Sequence, residues 1–411
     1  MEYTLHAYYT LVAAVLVLLL GRWLVLKIDV LRRYNIPEPV VGGLVAALVA
    51  WGLHSAFGLS AQFSQELQTG FMLIFFTSIG LSANIRKLLE GGRALLVFLL
   101  VIIGFIAVQN TVGMALAKML GLDPLIGLIA GSITLTGGHG TAGAWGAILE
   151  SKYGISGATT LGMASATFGL VIGGLIGGPV AKFLIARHRL AQSKSLEQVT
   201  QEEQQPLTRP EDGAAFEFPH QVRYITADNA ISTLGMFAAC LAFALFMADF
   251  SKGKVYELPT FVWALGGGVL LRNVLESGLN TPIFDRAIDV FGNASLGLYL
   301  AMALLSLKLW QLNNLAGPLV IILGAQTLVM VLYAALLTFK IMGSDYDAAI
   351  LAAGHCGFGM GATPTAIANM QAVTNMYGAS HKAFLIVPLV GAFFIDIINA
   401  FVIQMILKIW G

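Results

Sequence analysis

The chain has 411 residues, 57% of them hydrophobic and only 11% charged, with a formal net charge of +1. Soluble proteins carry about 25% charged residues, so this composition points to a polytopic membrane protein and excludes a soluble globular enzyme. No basic cluster suggests nucleic acid, and Cys240 and Cys356 both lie in apolar surroundings, which indicates neither a disulfide framework nor a metal centre.

The first apolar run, 8 to 26, follows an N-terminus without the basic region of a signal peptide and reads as a retained span. Further runs of the ~20 residues needed to cross hydrocarbon fall at 38–57, 70–85, 94–118 and 161–185. Between the fourth and fifth lies an apolar segment, 125–149, interrupted by Gly131-Ser-Ile-Thr-Leu-Thr-Gly-Gly-His-Gly-Thr141. Each glycine costs a helix ~1 kcal/mol relative to alanine, and broken backbone at membrane depth survives only where it is buried in protein or lines a watery cavity. The fifth span carries Gly169, Gly173, Gly174, Gly177 and Gly178 in overlapping G-x-x-x-G frames, which favour close helix packing.

Residues 186–226 are polar and rich in Gln, Glu, Lys and Pro, too hydrophilic to bury a core, and read as a solvated linker. A second set of spans follows at 229–249, 258–275, 290–309, 317–339 and 383–409. Its interrupted segment, 347–372, contains Gly354-His-Cys-Gly-Phe-Gly-Met-Gly-Ala-Thr-Pro-Thr365. A shift of 223 residues lays the first interruption over the second, Gly131 on Gly354 and Gly138 on Gly361. Gly42-Gly43 after Pro39 and Gly266-Gly267-Gly268 after Pro259 are again repeat-like and suit packing or dimer surfaces. The expected division is a first repeat over 1–185, the linker over 186–226 and a second repeat over 227–411.

Orientation follows from the lysine and arginine bias. With the N-terminus outside and the interrupted segments re-entering without crossing, Arg22, Lys27, Arg32, Arg33, Arg86, Lys87, Arg93, Lys182, the basic residues of the linker, Arg272, Arg286, Lys340 and Lys382 fall inside. Lys118, Lys152, Lys252, Lys254, Lys308 and Lys408 are left outside, with no arginine among them. Five spans per half is an odd number, so the second half inserts upside down relative to the first. The expected fold is an all-α polytopic membrane protein of two inverted repeats, each with five transmembrane helices and one re-entrant hairpin. The first hairpin enters from outside and the second from the cytoplasm. A limb of about 12 helical residues reaches ~18 Å, so the tips can meet near the midplane, with both chain termini periplasmic and the linker cytoplasmic.

Two broken helices at corresponding places in two halves mark a transporter's binding site. Half-helix N-termini present free N–H groups to an anion, and unwound carbonyls can coordinate a cation such as sodium. The candidate residues are Thr136, Gly137, Gly138, His139, Gly140 and Thr141 in the first hairpin, and Gly359, Gly361, Ala362, Thr363, Pro364, Thr365 and Asn369 in the second. Taken singly, these small residues also suit tight packing. His139 and His355 could relay protons or serve as hydrogen-bonding struts, and they are not repeat-equivalent. Asp396 lies deep in the last span, where an uncompensated acid costs ~2.5–3.5 kcal/mol. Asn399, three residues on, shares its helical face, so the pair could ligate sodium or hold an ammonium group, or else bond to a neighbouring helix. There is no P-loop, H-E-x-x-H or G-x-S-x-G to support ATP-driven or proteolytic chemistry. The residues alone reach a secondary transporter of a small anion with a cation, and leave a channel as the rival.

Thr136-Gly-Gly-His-Gly-Thr-Ala-Gly-Ala-Trp145 and Ala353-Gly-His-Cys-Gly-Phe-Gly-Met-Gly-Ala-Thr-Pro-Thr-Ala-Ile-Ala-Asn-Met370 resemble the two hairpin motifs of the bacterial sodium/glutamate symporters. Asn35-Ile-Pro-Glu-Pro-Val40, Ala166-Thr-Phe-Gly-Leu170 and Val390-Gly-Ala-Phe-Phe-Ile-Asp396 resemble other stretches of that family. The likeness runs through nearly the whole chain except the linker, and the first motif begins with Thr136 where serine is also expected. The resemblance implies sodium-coupled uptake of L-glutamate across the bacterial inner membrane by a homodimer embedded in lipid. It also implies an elevator-like mechanism, with sodium as the coupling ion. A carrier of another dicarboxylate is the nearest alternative.

Overall fold

A computed structural model describes residues 2–33, 36–58, 60–84, 92–190, 225–254, 257–279, 281, 283–307 and 315–410. Most of the expected linker therefore lies outside the described residues, as do Asn35, Arg86, Lys87 and Lys308.

The described chain is helical almost throughout. The first part comprises α1 (Ala7–Lys27), the short α2 (Asp29–Arg33), α3 (Glu38–Phe57), α4 (Gln65–Ser82) and α5 (Gly92–Met119). The first interrupted segment is α6 (Pro124–Leu128), a π turn (Ile129–Ile133) and α7 (Gly138–Tyr153), and α8 (Ala158–His188) follows. After the linker come α9 (Ala227–Ser251), α10 (Thr260–Asn273), α11 (Asp285–Leu305), α12 (Ala316–Tyr333) and α13 (Phe339–Ile341). The second interrupted segment is α14 (Tyr346–Met360) and α15 (Thr363–Tyr377), and the chain closes with α16 (His381–Leu389) and α17 (Ile395–Trp410). Among the described residues seven helices are long and apolar enough to cross a membrane.

Of the ten expected spans, 70–85, 258–275 and 383–409 do not belong to those seven. The last is divided by a π turn, Val390–Phe394, two residues beyond Pro388. Proline removes a backbone donor and clashes with the preceding turn, so a widened turn beside it is the expected relief.

One departure from an all-α class is a pair of parallel three-residue strands, β1 (Glu2–Thr4) with β2 (Ser60–Gln62). Each immediately precedes a helix, and the pairing continues where Leu5 N–H donates to the Gln62 carbonyl. Ser64 N–H donates to Thr10 Oγ1 at 3.1 Å, so the starts of α1 and α4 are tied side by side.

Packing divides into two regions. In one, α4 lies against α10 and α11, α1 against α3 and α11, and α9 against α10. Contacts recur at the 223-residue offset: α1 on α3 corresponds to α9 on α10, and α3 on α11 to α10 on α4. These crossings are close because glycine meets backbone. A β-carbon on Gly42 would lie 2.0 Å from the Val17 carbonyl oxygen, and one on Gly80 would lie 2.1 Å from that of Leu265. The Gly42-Gly43 and Gly267-Gly268 positions are thus spent inside the chain, Gly43 on Leu304, Gly267 on Phe243 and Gly268 on the Thr77 carbonyl.

A buried ion cluster pins α10 to its neighbours. Arg272, only 1% exposed, pairs with Glu276 at 2.7 Å and with Asp285, and donates to the Leu81 carbonyl at 3.2 Å. Asn84 also donates to Glu276.

In the other region α5, α8 and α12 surround the second interrupted segment. Every residue of α14 except Asp347 is buried, as befits a helix apolar on all sides. Leu95, Phe98, Ile102, Phe105 and Ile106 of α5 line the same core as Met330 and Tyr333 of α12. Replacing Gly42 with valine is expected to force α1 from α3 and to cost about 1–3 kcal/mol, read as a lower melting temperature of the detergent-purified protein with no such loss for Gly52→Ala, which meets open space.

Candidate functional site

Both interrupted segments begin with an aspartate cap. Asp123 accepts from Leu125 N–H at 2.8 Å and Asp345 from Ala348 N–H at 2.7 Å, satisfying amides that a helix start leaves free.

The first break runs from Gly131, whose φ of −110° and ψ of −132° are not helical, to Gly138, at φ +67°. Glycine tolerates the left-handed conformation that position 138 requires. Inside it Leu135 N–H donates to the Gly131 carbonyl, Gly137 N–H to Ser132 and Gly138 N–H to Thr134. The second break is narrower, with Gly361 non-helical (φ −146°, ψ −99°) and Ala362 extended between α14 and α15, and Thr363-Pro364 opening the new helix. Proline suits that position because its missing donor is one the first turn does not use. Neither α7 nor α15 has a side-chain cap at its N-terminus.

The two breaks touch. Thr136 Oγ1 lies 2.7 Å from Gln109 Oε1 and 3.3 Å from the Gly359 carbonyl oxygen, to which Gln109 Nε2 also donates at 3.1 Å. A β-carbon on Gly138 would sit 3.5 Å from the Gly361 carbonyl oxygen. Thr136 with Gly359 and Gly138 with Gly361 are both pairs at the 223-residue offset.

Around this meeting point the expected residues take different roles. His139 Nε2 lies 3.0 Å from Thr167 Oγ1, and that hydroxyl donates to the Met163 carbonyl at 2.8 Å. The hydroxyl has one proton to give, so Nε2 of His139 carries the proton of their shared bond. The Gly140 carbonyl accepts from the buried Tyr299 hydroxyl at 3.3 Å, and a β-carbon on Gly140 would strike Phe75. A β-carbon on Gly137 would press on the Thr141 side chain, and Thr141 itself is buried. Thr363 donates to the Gly391 carbonyl at 2.7 Å, tying α15 to the π turn before α17, while Pro364 is exposed. Thr365 is buried, with no hydrogen-bond partner for its hydroxyl.

Asn369 donates to the Gly173 carbonyl at 2.8 Å and to Ala353 at 3.4 Å, binding α15 to α8 and α14. The glycine face of α8 packs on the second segment. β-Carbons on Gly169 and Gly177 would lie 2.2 Å from the Met360 carbonyl oxygen and from Asn369 Nδ2. Asp396 is half-buried, and Asn399, 1% exposed, reaches hairpin 1 and donates to the Ser132 carbonyl at 2.8 Å. His355 sits in a cage of Phe98, Phe105, Tyr333 and Phe358, with Nδ1 2.8 Å from Thr338 Oγ1.

Several polar residues at the breaks escaped the sequence reading. Gln109 and Asn110, both fully or nearly fully buried in α5, contact the first break, and Gln326 of α12 donates to the Gln109 carbonyl at 2.7 Å. Ser132 joins them. Their signal was an adjacent pair of amides, and a lone one, inside long apolar runs. A separate open cavity of about 520 Å3 lies between the start of α4, the end of α11 and the outer parts of α7 and α8, lined by Gln65, Gln68, Glu150, Thr159 and Ser306 among others. It includes none of the expected site residues.

Residues 3–379 match the sodium/glutamate symporter family. The chain belongs to this family. It is 51% identical over 400 residues to the sodium/glutamate symporter of Escherichia coli (strain K12), covering 97% of both chains, and equally similar to that of Shigella flexneri. The sodium/glutamate symporter of Haemophilus influenzae is 49% identical over 400 residues, 97% of this chain and 96% of that protein. A family of symporters is one of transporters, and the chain is no enzyme. Thr136→Val should leave Gln109 Oε1 buried without its donor, a loss of about 1–3 kcal/mol seen as a lower melting temperature, whereas Thr136→Ser should melt near the wild type.

Proposed function

We propose that this protein is a sodium-coupled symporter that carries L-glutamate into the cell across the bacterial inner membrane. The observation that supports this best is the convergence of the uncapped N-termini of α7 and α15 where the two breaks meet, in a chain of the symporter family. Glutamate has two carboxylates, and two helix N-termini without side-chain caps bring partial positive charge to the place where the breaks meet. In this reading Gly137 to Thr141 and Gly361 to Thr365 grip the carboxylates. Asp396 and Asn399, on one face of α17, serve the substrate ammonium and the sodium ion. The aromatic cage and the Thr338 partner of His355 favour a strut over a proton relay, as does the Thr167 partner of His139.

The symmetry-related pairs Thr136–Gly359 and Gly138–Gly361 favour two repeats, 1–185 and 227–411, joined by a cytoplasmic linker at 186–226, with the hairpins re-entrant from opposite faces. The termini are then periplasmic. Hairpins packed on α5, α8 and α12 form the moving part of an elevator, and α1, α3, α4, α9, α10 and α11 form its scaffold. The exposed apolar faces of α1 and α9, including Leu16, Leu19 and Phe246, suit lipid and a homodimer partner.

Purified protein in proteoliposomes should accumulate L-glutamate uphill when an inward sodium gradient is imposed. A pH gradient alone should not drive accumulation, and flux that merely follows the gradient of glutamate itself would indicate a channel. Asp396→Asn should raise the sodium concentration needed for half-maximal uptake by about tenfold, equivalent to ~1.4 kcal/mol, while the protein still inserts.

Topology can be read with thiol reagents, since both native cysteines are buried. A cysteine at the exposed Ser151 should react with an impermeant reagent from the periplasm, and one at the exposed Asn375 from the cytoplasm. Labelling of both from one face would rule out hairpins entering from opposite sides.

A further inference from the structure

The first hairpin is covered where the second is open. Trp145 and Leu149 of α7 are 0% exposed and Thr141 is buried, whereas their counterparts at the 223-residue offset, Ala368, Ala372 and Pro364 of α15, are exposed. Gln371 and Asn375 of α15 are exposed beside them, and polar side chains of this kind mark a face turned to water rather than lipid. The cover over α7 comes from three helices. A β-carbon on Gly140 would strike Phe75 of α4 and meet Leu296 of α11, and the Trp145 ring stands edge-on to Phe261 of α10.

One polar side chain fastens this arrangement. Tyr299 of α11, 1% exposed, stands in a core with Val40 and Ala47 of α3, and its hydroxyl reaches across to the hairpin and donates to the Gly140 carbonyl at 3.3 Å. Gly143 lies three residues on and so shares the face of Gly140. A β-carbon there would lie 2.2 Å from the Tyr299 hydroxyl oxygen and 3.0 Å from the ring carbon that bears it. The phenol tip therefore fills a notch that only glycine leaves open.

The other repeat lacks this fastening. At the 223-residue offset Tyr299 corresponds to Phe76 of α4, Gly140 to Thr363 and Gly143 to Ala366. Phe76 has no hydroxyl to donate, Ala366 carries the methyl group that closes the notch, and the Thr363 hydroxyl is already given to the Gly391 carbonyl. In a carrier of inverted repeats, one end state becomes the other when the repeats exchange roles around the site. After that exchange α15 lies on α4 as α7 now lies on α11, and Phe76 takes the place of Tyr299 with no bond to offer.

We propose that Tyr299 is a positioning residue of the transport cycle: its hydroxyl, seated in the Gly143 notch on the Gly140 carbonyl, holds the empty carrier in the state where the first hairpin is covered and the second is open. With the second hairpin entering from the cytoplasm, that state faces inward. The bond is made in one end state alone, so it tilts the balance between the two. The inference rests on the reading of the chain as a symporter of two inverted, alternating repeats, and adds to it the residue that sets where the empty carrier rests.

The test reads both states in the full chain. Leu149→Cys reports a position buried now and uncovered by the exchange, and Ala372→Cys reports its counterpart, exposed now. Each is reacted with a hydrophilic maleimide in detergent without sodium or glutamate, and the rate of the two buried native cysteines is subtracted. Tyr299→Phe removes one oxygen and keeps the packing of the ring. It should speed labelling at position 149 roughly three- to tenfold, the effect of one hydrogen bond on an equilibrium, and leave labelling at 372 equal or slower. Gly143→Ala, which closes the notch with the hydroxyl still present, should move the rates in the same directions. An unchanged rate at 149 in Y299F would overturn the role of the hydroxyl, and so would faster labelling at both positions, which is loosened packing. These readings need no transport, so wild-type protein that fails to accumulate glutamate on a sodium gradient would instead overturn the symporter reading, whatever Y299F does.

Discussion

Backbone that leaves the helix inside a membrane must find its hydrogen bonds within the protein, and this constraint organises the second packing region. The first break loses helical bonds between Gly131 and Gly138 and recovers them partly from itself, through Leu135, Gly137 and Gly138. Amide side chains add two more backbone bonds, from Asn110 of α5 and Asn399 of α17, while Gln109 of α5, with Gln326 of α12 behind it, holds the Thr136 hydroxyl. These amides are neutral, so each supplies a donor and an acceptor without the desolvation cost of a charge. The first break is thus supported from three helices, α5, α12 and α17.

The glycines of α8 have a related function. Their lack of a side chain lets the Met360 and Gly357 carbonyls of the second segment approach the helix directly. Because α14 is then enclosed by α5, α8 and α12, its break at Gly361 can lie only where the first break also arrives. The contact of Thr136 with Gly359 is the consequence. Anchoring in the other region is different in kind. There the Arg272, Glu276 and Asp285 cluster and the glycine crossings hold helices together with no break to support.

Charge is sparse where the breaks meet. Of the polar groups within bonding distance of them, Gln109, Asn110, Thr136, Thr167, Gln326 and Asn399 are all uncharged. In the proposed reading a substrate with two carboxylates is therefore held by helix N-termini rather than by arginine.

The amino-acid sequence by itself determined seven of the ten expected apolar spans to within a few residues, the place of both breaks, and the offset relating them. These properties are local: hydropathy sets the spans, glycine and proline set the breaks, and aspartates at 123 and 345 set the helix starts. Half of the candidate site was legible in the same way, since Thr136 to Thr141 and Gly359 to Thr365 stand out as polar or small residues in apolar surroundings. Only the tertiary structure decided which residues meet. Thr136 with Gly359, Asn399 with Ser132 and Gln326 with Gln109 are separated by more than 200 residues, and the register at which two helices cross leaves no periodic trace in either. For the same reason Gln109, Asn110 and Ser132 were not among the expected site residues, Asn399 read as a partner of Asp396, and the β1–β2 pair went unseen, until packing brought each to its contact.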